Sequence, residues 1–301
     1  MTVREFIEDC RKRLLPLYGK EEAASLAYRA LEDIYDISRT RQITYPDTEI
    51  GDAGKYISRL ENGEPVQYIS GFEYFCGSKF KVGPGVLIPR PETEELVTLA
   101  ISEIARSVSC PGSSPEAQRA FKIFDVCTGS GCIAWSLHKA LAKSFAEKGK
   151  VLETYGCDIS EAALEYAKGQ RITLDRRWPM FFLYDVLYGD FPALKSFIGK
   201  VDVMISNPPY IAEKEKENMH RNVLGFEPEQ ALFVPDAHPI LFYEKIAGMA
   251  AELLYSGGRL YFEINPLFAK DVEIMLKEKG FSSIRILSDM FGRQRFACAS
   301  V

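Results

Sequence analysis

Histidine and tryptophan are scarce in this chain of 301 residues, with three of the former and two of the latter. His138, His220 and His238 are isolated. The seven cysteines form no Cys-x-x-Cys pair and share no zinc-like spacing with them, so no metal centre is expected. An odd number of cysteines without a pairing pattern reads as reduced thiols in a cytoplasmic protein. No apolar stretch approaches a membrane span, and Met1-Thr2-Val3-Arg4-Glu5 lacks the apolar core of a signal peptide. Basic charge is not in excess. A formal net charge of −5 argues against a long track for nucleic acid. The Gly-Lys-Ser/Thr of a P-loop is missing, and so is the six-residue glycine fingerprint of a dinucleotide site, because Trp135 stands where a further small residue is wanted. What is present is ample core material: 47% of residues are hydrophobic and 12% aromatic, in a length comfortable for two domains.

Residues 1–72 read as a small helical bundle. Thr2 and Glu5 form a capping-box pattern ahead of Val3, Phe6, Ile7, Cys10 and Leu14, and Pro16 and Gly19 punctuate. A second helix from about Glu21 carries Ala23, Leu26, Ala27, Ala30, Leu31 and Ile34 on one face. A third, Gly54 to Glu61, stops at Asn62-Gly63. Residues 73–90 read as a hairpin linker, with aromatic alternating halves around Gly77-Ser78. From residue 91 to 301 the texture is α/β. Pro91 and its acidic neighbours open a helix, and a loop is expected over Ser107 to Pro115. Strands are expected at Lys122–Val126, Leu152–Cys157, Met180–Tyr184, Val201–Ser206 and Arg259–Ile264, with two more near Ser283–Leu287 and Phe296–Ala299. Helices fit between them at Cys132–Glu147, Ser160–Gln170, His238–Ser256 and Leu267–Lys279. The alternation implies a mostly parallel, doubly wound sheet with right-handed crossovers, whose ligands sit at the carboxyl ends of the strands.

Four of those ends carry chemistry. The first strand ends in Asp125-Val-Cys127-Thr128-Gly129-Ser130-Gly131, a turn whose glycines let the backbone approach a ligand. The second ends at Asp158, placed to accept from both hydroxyls of a ribose or to cap the next helix. The third ends at Asp185-Val186, where a carboxylate can accept from an exocyclic amine. The fourth ends at Asn207-Pro208-Pro209-Tyr210, an amide held by two rigid residues and followed by a ring. An adenosine-bearing cofactor with its reactive end near Asn207 fits all four. S-adenosyl-L-methionine fits better than a nicotinamide dinucleotide, since no pyrophosphate-sized glycine loop is present.

Asp125 to Gly131 together with Asn207 to Tyr210 resembles the class I S-adenosylmethionine-dependent methyltransferases that modify planar nitrogens. Gly63-Glu-Pro-Val-Gln-Tyr68, Val86-Leu-Ile-Pro-Arg-Pro-Glu-Thr-Glu94, Glu227-Pro-Glu-Gln-Ala-Leu232 and Gly292-Arg293-Gln-Arg295 narrow the likeness. Over essentially the whole chain they resemble the peptide chain release factor glutamine-N5 methyltransferases, the HemK/PrmC family. The resemblance implies a Rossmann-like seven-stranded sheet, an N-terminal helical bundle that docks the substrate protein, and a connecting β-hairpin. It implies methyl transfer from S-adenosyl-L-methionine, leaving S-adenosyl-L-homocysteine, to the glutamine amide of the Gly-Gly-Gln motif of class 1 release factors, which modulates translation termination. No membrane or stable nucleic-acid partner is implied. Cofactor contacts fall to Asp125, Cys127, Thr128, Gly129, Ser130, Gly131, Asp158, Asp185, Val186 and Asn207. Substrate contacts fall to Asn207, Pro208, Pro209 and Tyr210, with Asn207, Pro208 and Tyr210 catalytic: the Asn207 oxygen and the Pro208 carbonyl accept the two amide hydrogens, and Tyr210 packs on the amide. Cys127 stands where the family usually has glycine, and its β-carbon would crowd the methionine part of the cofactor unless the backbone keeps an ordinary conformation. Asn265 likewise replaces a common glycine. The tetrapeptide also occurs in adenine-N6 DNA methyltransferases, whose target base is flipped out of the duplex. Those need a basic groove and a target-recognition domain, which an acidic chain with a small bundle does not offer. A non-catalytic relative that only binds release factors is the other alternative.

Overall fold

The computed structural model describes residues 1–108, 119–173 and 177–301. The chain divides into two compact units, Met1–Phe72 with Val82–Pro84 and Asn218–Glu227, and Glu73–Lys81 with Gly85–Glu217 and Pro228–Val301. No described helix is long and apolar enough to cross a membrane.

The first unit is helical. Helix α1 (Val3–Tyr35) opens on the expected capping box, with Thr2 Oγ1 accepting from Glu5 N–H at 3.2 Å and Glu5 accepting from Thr2 N–H at 2.8 Å. The two expected helices form one run here, bent at Gly19, whose φ of 74° and ψ of 176° break the helical path. Helices α2 (Arg39–Thr44), α3 (Gly54–Glu61) and α4 (Val66–Ser70) pack on it. Val3, Phe6, Leu14, Ala27, Leu31, Ile57 and Leu60 share one buried cluster.

In the second unit, strands β1 (Phe72–Phe75) and β2 (Ser78–Lys81) meet through Cys76 and Gly77, at φ of 46° and 65°. Two positive φ values in a two-residue connection suit the right-handed twist of the strands. Helix α5 (Pro91–Val108) follows. The loop expected over Ser107 to Pro115 lies, from residue 109 on, outside the described residues.

The remaining elements alternate as expected: β3 (Phe121–Val126), α6 (Cys132–Glu147), β4 (Leu152–Asp158), α7 (Glu161–Gly169), β5 (Met180–Leu183), α8 (Phe191–Ile198) and β6 (Val201–Ser206). Helix α8 was not anticipated; Asp190 accepts from Ala193 N–H and a proline stands at its start. Short β7 (Ile211–Ala212), helix α9 (Arg221–Phe226, in the first unit) and short β8 (Phe233–Val234) precede α10 (Leu241–Leu253), β9 (Leu254–Glu263), α11 (Ala269–Glu278), β10 (Ser282–Ser288) and β11 (Gln294–Ser300). Three boundaries need correction. Helix α10 runs from Leu241 to Leu253 rather than from His238 to Ser256, and β9 starts at Leu254 rather than Arg259. The β6–β9 register shifts between Val201 and Val203, which lets the Gly257-Gly258 segment stay in the extended run.

The seven-stranded sheet runs β10-β11-β9-β6-β3-β4-β5, with β11 antiparallel to both its neighbours and the other pairs parallel. From β3 the chain winds outward to β5, then returns to β6 on the other side. A crevice therefore opens at the carboxyl ends of β3 and β6. Both faces of the sheet are covered. Phe124, Val126, Met204 and Phe262 pack with α10 and α11, while Ile123, Val203, Ile205 and Tyr261 pack with α5 and α6.

Candidate functional site

At those strand ends lies a cavity of about 380 Å³, within the size range of small-molecule sites. Its floor is the turn after β3. Cys127 has a φ of 60°, in the left-handed region that favours glycine. The ordinary backbone conformation that would spare the cofactor a clash with this β-carbon is therefore not adopted. Thr128 is tied down twice, its N–H donating to Cys157 O at 2.9 Å and its Oγ1 donating to Asp125 Oδ2 at 2.5 Å. Ala134 N–H, near the start of α6, donates to the same carboxylate oxygen at 3.2 Å. Gly131 starts α6 at a φ of 78°, where a Cβ would meet Ala167 and the Phe181 ring at 3.0 Å. Gln170 binds Ser130 O through its amide and exchanges two hydrogen bonds with the Lys81 backbone, so the turn is bolted to β2.

Asp158, at the end of β4, accepts from Gly129 N–H at 2.8 Å on one oxygen and from Ser160 N–H at 2.9 Å on the other. The carboxylate keeps acceptor capacity for a ligand. Burial raises its pKa, against the opposing pull of backbone hydrogen bonds from Ser160, Gly129 and Ile159. Ser160, not Asp158, caps α7. Asp185 Oδ1 accepts from Leu187 and Tyr188 N–H at 2.8 and 3.1 Å, which folds the segment after β5 over the cavity wall.

Asn207 follows β6 directly, beside Ser206, whose hydroxyl donates to Val126 O at 2.5 Å. Asn207 Nδ2 donates to Thr93 Oγ1 at 3.1 Å, and Thr93 Oγ1 donates to Glu263 Oε2 at 2.6 Å. The other oxygen of Glu263 accepts from Tyr210 Oη–H at 3.0 Å. Glu263 is only 1% exposed, and burial raises its pKa against the hydrogen bonds from Thr93 and Tyr210 and the charge of Arg295. The Tyr210 phenol is held well above its ordinary range by burial and then by Glu263. Asn265 Nδ2 donates to Tyr210 O at 3.0 Å, and the chain beyond is fixed where β7 pairs in parallel with β8.

Of the residues singled out in the sequence, Cys127, Thr128, Gly129, Ser130, Asp158, Asp185, Val186, Asn207 and Pro209 line the cavity. Asp125, Gly131, Pro208 and Tyr210 do not stand on its wall. Asp125 is fully buried beneath the turn, Gly131 is the hinge into α6, and Tyr210 turns its hydroxyl to Glu263. Thr93 and Glu263 were not singled out. Asn265, noted only as a replaced glycine, proves to be a brace. Gly85, Leu87, Arg90 and Phe233 also line the cavity. Among the described residues no group of three or more histidine, cysteine, aspartate or glutamate side chains could hold a metal.

A mostly parallel sheet of this strand order, closed by an antiparallel β10–β11 pair and carrying its cavity at the β3–β6 crevice, defines a class I S-adenosylmethionine-dependent methyltransferase. No family model matches the chain. Curated relatives match it along nearly its whole length. The release factor glutamine methyltransferase of Bacteroides thetaiotaomicron is 39% identical over 295 residues, 96% of this chain and 97% of that one. That of Flavobacterium psychrophilum is 32% identical over 300 residues, 98% of each chain. That of Lactococcus lactis is 32% identical over 244 residues, 79% of this chain and 77% of the relative. The chain belongs to the release factor glutamine methyltransferase family.

Proposed function

We propose that this protein transfers the methyl group of S-adenosyl-L-methionine to N5 of the glutamine in the Gly-Gly-Gln motif of class 1 peptide chain release factors, and so tunes translation termination in the cytoplasm. The observation that carries this reading is Asn207: on the cavity wall at the end of β6, its Nδ2 is taken by Thr93, which leaves Oδ1 as an acceptor for a planar N–H donor.

The cavity residues suit the cofactor. Asp158 offers free lone pairs for ribose hydroxyls, Asp185 and Val186 flank a position for adenine, and the turn from Cys127 to Ser130 presents backbone to the amino-acid portion. When bound, S-adenosyl-L-methionine supplies an electrophilic methyl group on a sulfonium. What remains for the chain is to orient a poor nucleophile and absorb the charge it gains. A glutamine amide nitrogen loses planarity and becomes positive as it is methylated. Asn207 Oδ1 and the Pro208 carbonyl are the acceptors we assign to its two hydrogens, each contributing about 2–4 kcal/mol in a water-poor site. Proline at both following positions restricts the backbone that carries the Pro208 carbonyl. Tyr210, with its hydroxyl on Glu263 and its carbonyl on Asn265, keeps the tetrapeptide in place rather than stacking on the amide. No general base is needed early, because the methylated amide is strongly acidic and loses its proton afterwards.

The helical unit, which carries none of the strand-end residues, is where we assign recognition of the release-factor body; Leu15, Ile43 and Tyr45 are exposed apolar side chains on it. The test is transfer of labelled methyl to purified release factor, with mass spectrometry of the Gly-Gly-Gln peptide. One added methyl on that glutamine is expected, and Asn207→Ala is expected to lose at least a hundredfold in single-turnover rate while still binding cofactor. Wild-type turnover in Asn207→Ala, or methylation of DNA in place of the release factor, overturns the reading.

A further inference from the structure

A carboxamide presents an acceptor at one end and a donor at the other, and a half-turn about its last bond exchanges them with almost no change of shape. An Asn207 turned the wrong way would offer hydrogens to an incoming amide that needs acceptors. Something outside the side chain has to choose. The neighbour of Nδ2 is Thr93 Oγ1 at 3.1 Å, and that hydroxyl donates its one hydrogen to Glu263 Oε2 at 2.6 Å. An ionised carboxylate can only accept, so Thr93 has no hydrogen left and shows Asn207 a lone pair. A lone pair takes an N–H₂ group and repels a carbonyl oxygen. The second oxygen of the same carboxylate holds the Tyr210 hydroxyl at 3.0 Å, so one buried group grips both ends of the tetrapeptide.

We propose that Glu263 and Thr93 are positioning residues for methyl transfer: the carboxylate, acting through a single hydroxyl, holds the Asn207 amide with Oδ1 toward the substrate. This deepens the proposed function and rests on it. Glu263 ends β9 and Thr93 lies in the first turn of α5, so the choice of amide face is made by elements outside the tetrapeptide. The charged and titratable groups that act on Glu263 are Tyr210, Arg295, Glu92 and Tyr243; Arg295 favours its ionised form and Glu92 opposes it. The charge state matters to the mechanism. A protonated Glu263 donates to Thr93 Oγ1, which frees the threonine hydrogen for Asn207 Oδ1 and so rewards the flipped amide. Since burial raises this pKa, activity should fall as pH drops through that raised value, above the ordinary glutamate range.

The experiment uses the full chain with S-adenosyl-L-methionine and purified release factor. Thr93→Val keeps the shape and removes the hydroxyl, whereas Thr93→Ser keeps the hydroxyl. Expected are a kcat at least tenfold lower in Thr93→Val, cofactor affinity within twofold of wild type, and a kcat within threefold of wild type in Thr93→Ser. Glu263→Gln can still accept from Thr93 but cannot titrate, so, with kcat read at saturating cofactor to remove the contribution of Asp158, it should retain measurable turnover and lose the acid limb of the kcat profile. Wild-type kcat in Thr93→Val, equal loss in the valine and serine variants, or an unchanged acid limb in Glu263→Gln each overturns the inference. If wild-type protein binds cofactor but methylates no release factor, the proposed function falls and this inference with it. If wild type is active, Asn207→Ala is inactive and Thr93→Val is unimpaired, the inference alone falls.

Discussion

Replacing Asp125 by asparagine asks what an acid is doing in the middle of the sheet. Asp125 is 0% exposed, and burial pushes its pKa up to about 7, with the nearby charge of Asp158 adding to the rise and the bonds from Thr128 and Ala134 opposing it. In the unfolded chain an aspartate titrates near about 3.9. The folded protein thus holds this proton more tightly than the unfolded one. Its contribution to stability is fully present below about pH 4 and is lost as pH rises through about 7. At about 1.36 kcal/mol per unit, the loss between pH 5 and pH 8 is about 3 kcal/mol. Asparagine never ionises, and its oxygen can still accept from Thr128 and Ala134. Its amide hydrogens would stand where Asp125 Oδ1 now has no partner among the described residues, a cost of about 1–3 kcal/mol. Urea unfolding at pH 5, 6, 7 and 8 should therefore show Asp125→Asn less stable than wild type at pH 5 and level with it or above it at pH 8. The difference between the two proteins should swing by about 3 kcal/mol. Asp158 and Glu263 also titrate high, but they are common to both proteins and cancel in the difference. A constant offset across the four pH values would refute the reasoning.

Three further substitutions probe the cradle. In Gly156→Ala, the new β-carbon would lie 2.7 Å from the Phe181 ring and 2.8 Å from Thr128 Oγ1, and Thr128 cannot retreat without releasing Asp125. The expected cost is about 1–3 kcal/mol in a denaturant melt, recovered only in part by adding Phe181→Leu, since the contact with Thr128 remains; wild-type stability in the single variant would contradict the close approach. Asp158→Ala should weaken S-adenosyl-L-methionine binding about tenfold to a hundredfold by calorimetry, the scale of hydrogen bonds to a charged group, and unchanged affinity would remove Asp158 from the site. Cys127→Gly releases about 1–2 kcal/mol of left-handed strain but gives back about 0.5–1 kcal/mol in backbone entropy and roughly 0.8 kcal/mol of burial. Its melting midpoint should hardly move, whereas Cys127→Val, β-branched at the same φ, should lose about 2 kcal/mol; equal stability of the two would exclude strain.

The sheet was legible because each strand and each helix between strands is written in one contiguous run of residues. Helix α8 was not, since Phe191, Leu194 and Ile198 repeat at helical spacing over only eight residues, and only Asp190 before a proline signals a start. The cradle and the tetrapeptide were legible for the same reason as the strands, being contiguous. Asp125 illustrates the limit. A carboxylate one residue before a strand end points to the cavity or to the core depending on phase, and here the pleat puts it in the interior. Thr93 and Glu263 lie 170 positions apart, and each meets the tetrapeptide only after α5 and β9 have packed on the sheet. Thr93 did sit inside Pro89-Arg90-Pro91-Glu92-Thr93-Glu94, a stretch already marked, but its hydroxyl had no partner that spacing could name.

The thiol of Cys127 sits on the wall of a chamber that, on our reading, receives an alkylating reagent. A thiolate is the form of cysteine that captures methyl groups. Burial, helped by the nearby carboxylate of Asp158, raises the Cys127 pKa well above its ordinary value. The same desolvation raises the pKa of Cys132, which also lines the cavity, and of the buried Cys157. On our reading the fold thereby spares itself its own reagent: burial disfavours the thiolate at all three sulfurs, so the amide brought in by the substrate meets weaker rivals for the methyl group.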